Sequence, residues 1–159
     1  MILVTVGSLL PFDRLITLMD DWAARHPQIK VFAQIGSGRY VPRHMQYLRM
    51  EENDAFLLRL ERASLVVAHA GIGTILDATA LGKPMVLVPR RAEWGEHTTD
   101  HQSQTARTLL GRPGIAICDR VSDISRCIRD VTGATSRQDG FSNAAPADFI
   151  ARLRTALLA

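Results

Sequence analysis

A short stretch near the middle of the chain combines the residue types that bind a phosphate group. It occupies positions 65–77 and reads LVVAHAGIGTILD. We expect a buried strand over 65–68, a turn containing Gly71 and Gly73, and a helix that Thr74 caps. Glycine lets the backbone approach a ligand closely, and the first amides of a helix point outward at the positive end of its dipole. The pattern therefore favours an anion site.

Two polar side chains flank this turn. His69, at the last strand position, adds a hydrogen-bond donor, and Asp77, one turn into the helix, can accept hydrogen bonds from hydroxyl groups of the same ligand. A phosphate joined to a hydroxylated ring indicates a nucleotide. The alternative is a tight connection between strand and helix without a ligand, because an isolated GxG is weak evidence.

A second polar cluster follows a later strand. Its side chains are those of Glu93, Glu96, His97, Asp100, His101 and Gln102. A metal triad of His97, Asp100 and His101 would need all three in one helix, and we expect His97 to lie at or before the helix start, so no metal site is predicted. The alternative to a binding role is a solvated helix N-terminus that favours acidic residues.

The composition limits the class of protein. With 159 residues, 47% of them hydrophobic, the chain fits one compact domain. It has no run of the roughly 18 apolar residues that span a bilayer, and its MILVTVG start lacks the features of a signal peptide, so we expect a cytoplasmic protein. The two cysteines, Cys118 and Cys127, lack metal-site spacing and are expected to be small core residues.

The charged residues argue against nucleic-acid binding. The net charge is +3, and only Lys30 and Lys83 among the 19 basic residues are lysines. Arginine favours phosphate and carboxylate contacts, but here the basic residues are scattered and form no stripe with interleaved aromatic residues. We therefore expect no nucleic-acid partner.

Strand and helix patterns alternate along the chain. Apolar runs predict strands at 2–6, 31–35, 46–50, 65–68, 84–88 and 114–118, and helical spacing predicts helices at 12–22, 54–62, 74–81, 98–110 and 124–131. We expect a mobile segment at 132–146 and a closing helix at 147–159, which carries Phe149, Leu153 and Leu157. This alternation predicts an α/β fold with a Rossmann-like, doubly wound parallel sheet. The polar turns that follow the strands are then expected to lie together at one edge of this sheet.

Three segments, HAGIGTILDA, GKPMVLVPRR and WGEHTTDHQ, carry a family resemblance in their order and spacing. With the opening VTVGSLLPFDRLI, they resemble the C-terminal, donor-binding half of family 28 glycosyltransferases, which have the GT-B fold. The chain most resembles the single-domain subunits of split enzymes, namely bacterial exopolysaccharide-type transferases and the catalytic subunit of the eukaryotic dolichol-linked N-acetylglucosaminyltransferase. The match extends to about Leu110, and the motifs are specific only jointly.

The resemblance implies a UDP-sugar-binding domain over 1–159 and a role for each matching residue. The diphosphate would bind to Gly71, Gly73, Thr74 and His69, which would also be catalytic. The ribose would bind to Asp77, where these enzymes usually have Glu, and the sugar to Asp100, His101 and Gln102. The uracil would lie at Met50 and Asn53, and the loop with Gly7 and Ser8 would face the partner. Arg90 and Arg91 are expected either to meet a phosphate or acidic sugar, or to pair with Glu93 or Glu96.

The resemblance also implies a mechanism. Helix amides and His69 would stabilise the leaving diphosphate, so neither a metal nor another cofactor is expected. The general base and the acceptor site would lie on a membrane-associated partner subunit that presents a lipid-linked acceptor and recruits the chain to the inner face of the membrane. The alternatives are a non-catalytic UDP-sugar-binding regulatory subunit and a UDP-sugar epimerase or hydrolase.

Overall fold

A six-stranded parallel sheet forms the centre of the protein. The computed structural model describes residues 1–133, and adjacent strands in the order β3-β2-β1-β4-β5-β6 all run parallel. The strands are β1 (Ile2–Thr5), β2 (Val31–Gln34), β3 (Gln46–Leu48), β4 (Leu65–His69), β5 (Met85–Val88) and β6 (Ile115–Ile117). The order reverses between β1 and β4, which is where doubly wound sheets bind ligands. The predicted fold class is confirmed.

Helices connect successive strands except β2 and β3, which a loop joins, and a last described helix follows β6. They are α1 (Asp13–Ala24), α2 (Asn53–Arg62), α3 (Ile72–Ala80), α4 (His101–Thr108) and α5 (Ile124–Gly133). Helix α4 begins three residues later than predicted, and α5 includes the first two residues of the segment expected to be mobile. The rest of that segment, 134–146, and the predicted closing helix at 147–159 lie outside the described residues.

The central strands β1, β4 and β5 are buried on both faces, as their apolar sequences predict, whereas the edge strand β3 is largely exposed. One face packs against α1 and α5, and its buried cluster includes Val4 and Val67 with Met19. The other face packs against α2, α3 and α4, and its cluster includes Leu3 and Ile75. Each fully buried aliphatic side chain of this kind contributes roughly 1.5–3 kcal/mol to folding, which keeps the strand ends in fixed positions.

Both cysteines are core residues, as expected. Cys118 and Cys127 are free thiols, each buried in the cluster on the α1 and α5 face. Burial raises the pKa of Cys118 to about 12, so this thiol is unreactive at neutral pH. Across residues 1–133, no helix is both long enough and apolar enough to cross a membrane.

Candidate functional site

Two adjoining cavities lie at the carboxyl edge of the sheet. The larger cavity, of about 280 Å³, is lined by Thr5, Gly7, Ser8, Gln34, Met50, Glu51, Asn53, Phe56, Gly73, Thr74 and Asp77. The smaller cavity, of about 110 Å³, is lined by Val6, Ser8, Leu9, Leu10, His69, Arg90, His97 and Gln102. Ser8 borders both. Most of the residues singled out in the sequence therefore meet in one continuous depression.

The N-terminus of α3 presents unpaired amides to the larger cavity. The helix begins at Ile72, so the prediction that Thr74 caps it is wrong, and no side chain caps its start. The first helical hydrogen bond runs from the amide of Ile75 to the carbonyl of Gly71, at 3.2 Å. The amides of Gly73 and Thr74 lie before Ile75 in the helix and have no acceptor within residues 1–133. These two donors border the cavity, where an anion would satisfy them.

The imidazole of His69 lies between two glycines. A Cβ atom added to Gly71 would lie 2.1 Å from His69 Nε2, and one added to Gly7 would lie 2.6 Å from His69 Cε1. Gly7 also has a φ of +77°, which other residues rarely adopt. By contrast, a Cβ at Gly73 would meet nothing within 4 Å. Gly7 and Gly71 thus make room for the histidine, whereas Gly73 leaves open space in the larger cavity.

His69 is neutral at physiological pH. The pKa of His69 is lowered to about 4, mainly by burial. The charges of Arg90 and His97 lower this pKa further, and a hydrogen bond with the Thr5 backbone raises it in part. The buried Nδ1 atom forms no hydrogen bond of normal geometry within the described part of the chain. His69 can therefore act on a ligand as a hydrogen-bonding group rather than as a cation.

An ion pair supports the opposite wall of the larger cavity, which Met50 and Asn53 help to form. Between them, Glu51 accepts two hydrogen bonds from Arg59 of α2, at 2.9 and 3.0 Å. The guanidinium of Arg59 also lies 3.7 Å from the centre of the Phe32 ring. The segment that enters α2 is thereby fixed opposite Asp77.

Arg90 is a structural residue. Its guanidinium donates to the carbonyl oxygens of Val6 (2.8 Å), Leu10 (2.7 Å), Pro11 and Glu96 (3.1 Å), and only 2% of the residue is exposed. Burial lowers its pKa to about 10, so it remains charged at neutral pH. Four of its five N–H donors bind carbonyl oxygens in this way, and the residue also lines the smaller cavity. That Arg90 meets a phosphate or an acidic sugar stays a prediction.

Glu96 has partners that sequence reasoning missed. Its carboxylate accepts two hydrogen bonds from Arg14, at 2.6 and 2.8 Å, and one from the backbone amide of Arg91, at 2.9 Å. The Arg91 side chain instead pairs with Asp119, at 3.0 Å. No local signal could identify Arg14, because it lies 82 positions from Glu96.

Of the three residues assigned to the sugar, the structure brings only Gln102 to the cavities. Gln102 is buried, and its Oε1 accepts a hydrogen bond from the Arg90 amide at 3.1 Å. Asp100 instead accepts from the Ala92 amide at 3.1 Å, and neither it nor the exposed His101 lines the two cavities.

His97 lines the smaller cavity although it was not assigned to the sugar. It precedes α4, as expected, and its Nδ1 accepts a hydrogen bond from the Thr99 amide at 3.2 Å. Within residues 1–133, no three His, Cys, Asp or Glu side chains converge as metal ligands would.

The family follows from comparison with known proteins. Residues 1–137 match the model of the glycosyltransferase family 28 C-terminal domain. The chain belongs to this family. The recognition drawn from its motifs is thus confirmed, and the chain is of the glycosyltransferase type.

Two curated relatives are similar to the chain over part of their length. The UDP-N-acetylglucosamine transferase subunit ALG13 of Yarrowia lipolytica is 31% identical over 127 residues, a match that covers 69% of this chain and 60% of the relative. The UDP-N-acetylglucosamine--N-acetylmuramyl-(pentapeptide) pyrophosphoryl-undecaprenol N-acetylglucosamine transferase of a Nostoc species is 29% identical over 83 residues, covering 52% of this chain and 22% of the relative. The chain thus spans between about a fifth and three fifths of their length.

Solved glycosyltransferase structures share the fold. A solution structure of ALG13 aligns over 96% of this chain and 93% of its own length, with a TM-score of 0.56 and 17% identity. The MurG structure of Acinetobacter baumannii aligns over 99% of this chain and 41% of its own length, with a TM-score of 0.52 and 19% identity. The chain therefore has the fold of the C-terminal half of a GT-B glycosyltransferase, as the sequence predicted.

Proposed function

We propose that this chain is the donor-binding and catalytic subunit of an inverting glycosyltransferase that uses a UDP-sugar. One observation carries the proposal: the unpaired amides of Gly73 and Thr74 face a cavity of about 280 Å³ that also holds Asp77. An anion site beside a carboxylate suits a diphosphate joined to a ribose. The names of both relatives specify UDP-N-acetylglucosamine or N-acetylglucosamine transfer, which supports a UDP-sugar donor.

Each part of the donor has a place in this proposal. The α3 amides, starting at Gly71, and His69 hold the diphosphate, and Asp77 binds the ribose. Met50 and Asn53 lie beside the uracil on the opposite wall of the larger cavity. The sugar extends into the smaller cavity towards Gln102, while Asp100 and His101 reach it only from the rim.

The chemistry needs a stabilised leaving group. The bond between the anomeric carbon and the diphosphate oxygen breaks, and its electron pair stays on the UDP. The α3 amides and the neutral imidazole of His69 stabilise this charge because they are already oriented towards it. The acceptor hydroxyl attacks the opposite face of the anomeric carbon, and its proton passes to a base on the partner subunit. No step requires a metal or a cofactor.

The partner in this proposal is a membrane-associated subunit that holds a lipid-linked acceptor. The name of the Nostoc relative includes a pyrophosphoryl-undecaprenol acceptor, and the ALG13 relative is named as a subunit. Gly7 and Ser8 lie at the cavity mouth next to Leu9, which is 87% exposed, and this loop faces the partner. The complex acts at the inner face of the membrane in polysaccharide or glycolipid synthesis.

The decisive experiment is a calorimetric titration with UDP of the original chain and of a Gly73→Ala variant. The added methyl group meets no protein atom within 4 Å and occupies space in the cavity, so we expect UDP binding to weaken at least tenfold while stability is unchanged or higher. Replacement of a helical glycine by alanine raises the stability of the helix by up to about 1 kcal/mol.

Gly133→Ala is the matched control. Gly133 is also helical, and a Cβ there likewise meets nothing within 4 Å in the described part of the chain. We expect this variant to bind UDP like the original chain. If the original chain does not bind UDP, or if Gly73→Ala binds it with full affinity, the proposed site is wrong.

A further inference from the structure

We infer that Gln34 is an additional donor-binding residue, whose carboxamide nitrogen donates a hydrogen bond to an oxygen of the nucleoside. The inference rests on the proposed function. Gln34 is the last residue of β2, between Thr5 of β1 and Leu48 of β3, and lines the larger cavity. Only 5% of it is exposed. A polar side chain buried to this extent destabilises the fold unless its groups find partners.

The protein satisfies only one end of the Gln34 carboxamide. Its Oε1 accepts a hydrogen bond from the Glu51 amide at 3.4 Å. This contact fixes the orientation of the group, because the amide nitrogen cannot accept from Glu51. The nitrogen therefore faces away from Glu51, and both of its hydrogens lack an acceptor within residues 1–133.

The unpaired nitrogen reaches the cavity. The fully enclosed side-chain atoms without a partner in the described residues belong to Trp22, His69 and Ser103. The Gln34 nitrogen is not among them, so it retains access to the space that the side chain lines. The Gln34 nitrogen is therefore an oriented hydrogen-bond donor at the cavity surface, available to a ligand.

The position along the sheet edge identifies the part of the ligand. Two strand spacings, about 10 Å, separate β2 from β4, which leads into the α3 amides. In the other direction, β2 borders β3, which leads to Met50 and Asn53. A donor that places its diphosphate at α3 extends its nucleoside towards β2 and β3. The acceptor is therefore a uracil carbonyl or a ribose oxygen rather than a phosphate oxygen.

Two substitutions and two ligands test the inference. Gln34→Met removes the donor without adding charge, and Gln34→Glu keeps an oxygen for the Glu51 amide but places a carboxylate oxygen towards the ligand. We expect calorimetry to show UDP binding about fivefold weaker for Gln34→Met and more than tenfold weaker for Gln34→Glu. Binding of inorganic pyrophosphate to Gln34→Met should stay unchanged. Gln28→Glu, at an exposed glutamine, should bind UDP normally.

A third ligand, 2′-deoxy-UDP, distinguishes the two oxygens. If a uracil carbonyl or a ribose oxygen other than the 2′ hydroxyl is the acceptor, Gln34→Met weakens binding of this ligand as much as binding of UDP. If the 2′ hydroxyl is the acceptor, Gln34→Met leaves binding of this ligand unchanged. Full UDP affinity in Gln34→Met, or equal losses of UDP and pyrophosphate affinity, would overturn the inference. Failure of the proposed function would give a different result, because the original chain would then bind neither UDP nor pyrophosphate. That result would overturn both proposals.

A measurement on the original chain makes the test independent of how the variants fold. The side-chain amide signal of Gln34 in a nitrogen-15 spectrum is identified by its absence from the spectrum of Gln34→Glu, or by standard assignment. We expect UDP to shift it and pyrophosphate to leave it in place. A signal that does not respond to saturating UDP would contradict the inference.

Discussion

Glycines beside the site serve two different purposes. Gly7 and Gly71 accommodate the His69 ring, whereas Gly73 leaves open space in the larger cavity. The sequence pattern predicted close approach of the backbone to a ligand for Gly71 and Gly73 alike. It could not separate them, because the contact of Gly71 with His69 depends on the side-chain direction at the end of β4.

The buried imidazole makes stability depend on pH. The pKa of His69 is about 4 in the folded chain, against an ordinary value of 6.5. As the pH falls, His69 is therefore protonated in the unfolded chain before it is protonated in the folded chain. The stability that the neutral ring contributes is complete above about pH 6.5 and is lost progressively towards pH 4. At pH 5 the expected loss is about 2 kcal/mol.

Urea unfolding at pH 7 and pH 5 checks this prediction. We expect the free energy of unfolding to fall more for the original chain than for His69→Gln, and the difference between the two falls should be close to the loss calculated for pH 5. The comparison cancels the titration of the other groups. Equal falls for both proteins would show that the His69 ring is not held in its neutral form.

At the scale of elements, two connections act as one unit. Arg90, just after β5, binds carbonyl groups of the segment between β1 and α1. Arg14 of α1 binds Glu96 in return. These contacts hold the loops on either side of the smaller cavity together, so the walls of this cavity depend on the Arg90 guanidinium.

We expect Arg90→Met to lower the free energy of unfolding by about 3 kcal/mol or more, because several buried carbonyl groups lose their donor together. Arg91→Met is the matched control. Its side chain makes one ion pair with Asp119 at 3.0 Å, and the expected loss is below about 1 kcal/mol. Urea unfolding of the two variants measures both losses. Similar losses would show that the Arg90 contacts do not hold the loops.

Element boundaries show where sequence reasoning fails. Helix α4 was expected from position 98 and begins at His101. The chain before it forms a 3-10 turn at Ala92–Trp94, followed by Gly95 at a φ of +68°. The Asp100 side chain bonds back to the Ala92 amide. Polar residues of this segment were interpreted as ligand-binding, although one of them supports the loop itself.

At the scale of the whole molecule, the fold could be predicted because it depends on local patterns. Apolar strands alternate with amphipathic helices, and right-handed connections then allow few arrangements. His69 and the α3 amides were found because they lie in one strand-turn-helix unit. The contacts of Arg14 and Arg90 could not be predicted, because all but one of their hydrogen-bond partners lie 75 to 84 positions away in the sequence.

Transfer is expected to require a second protein. Incubation of the purified chain with a UDP-sugar alone should release no free sugar and form no epimer. Addition of the acceptor-binding protein and its lipid-linked acceptor should start transfer, which a radiolabelled sugar detects in the lipid fraction. Turnover of the UDP-sugar by the chain alone would favour the hydrolase or epimerase, and UDP-sugar binding without transfer in the complete mixture would favour a regulatory subunit.

The Arg90 contacts also limit how this chain can be re-engineered. A loop transplanted from a relative at 6–11 alone would displace the carbonyl acceptors of Arg90, and one transplanted at 90–96 alone would remove the guanidinium wherever the relative lacks this arginine. Either chimaera should fold poorly whatever its new side chains do for the sugar. Libraries that aim to alter the proposed sugar specificity should therefore vary both segments in the same gene.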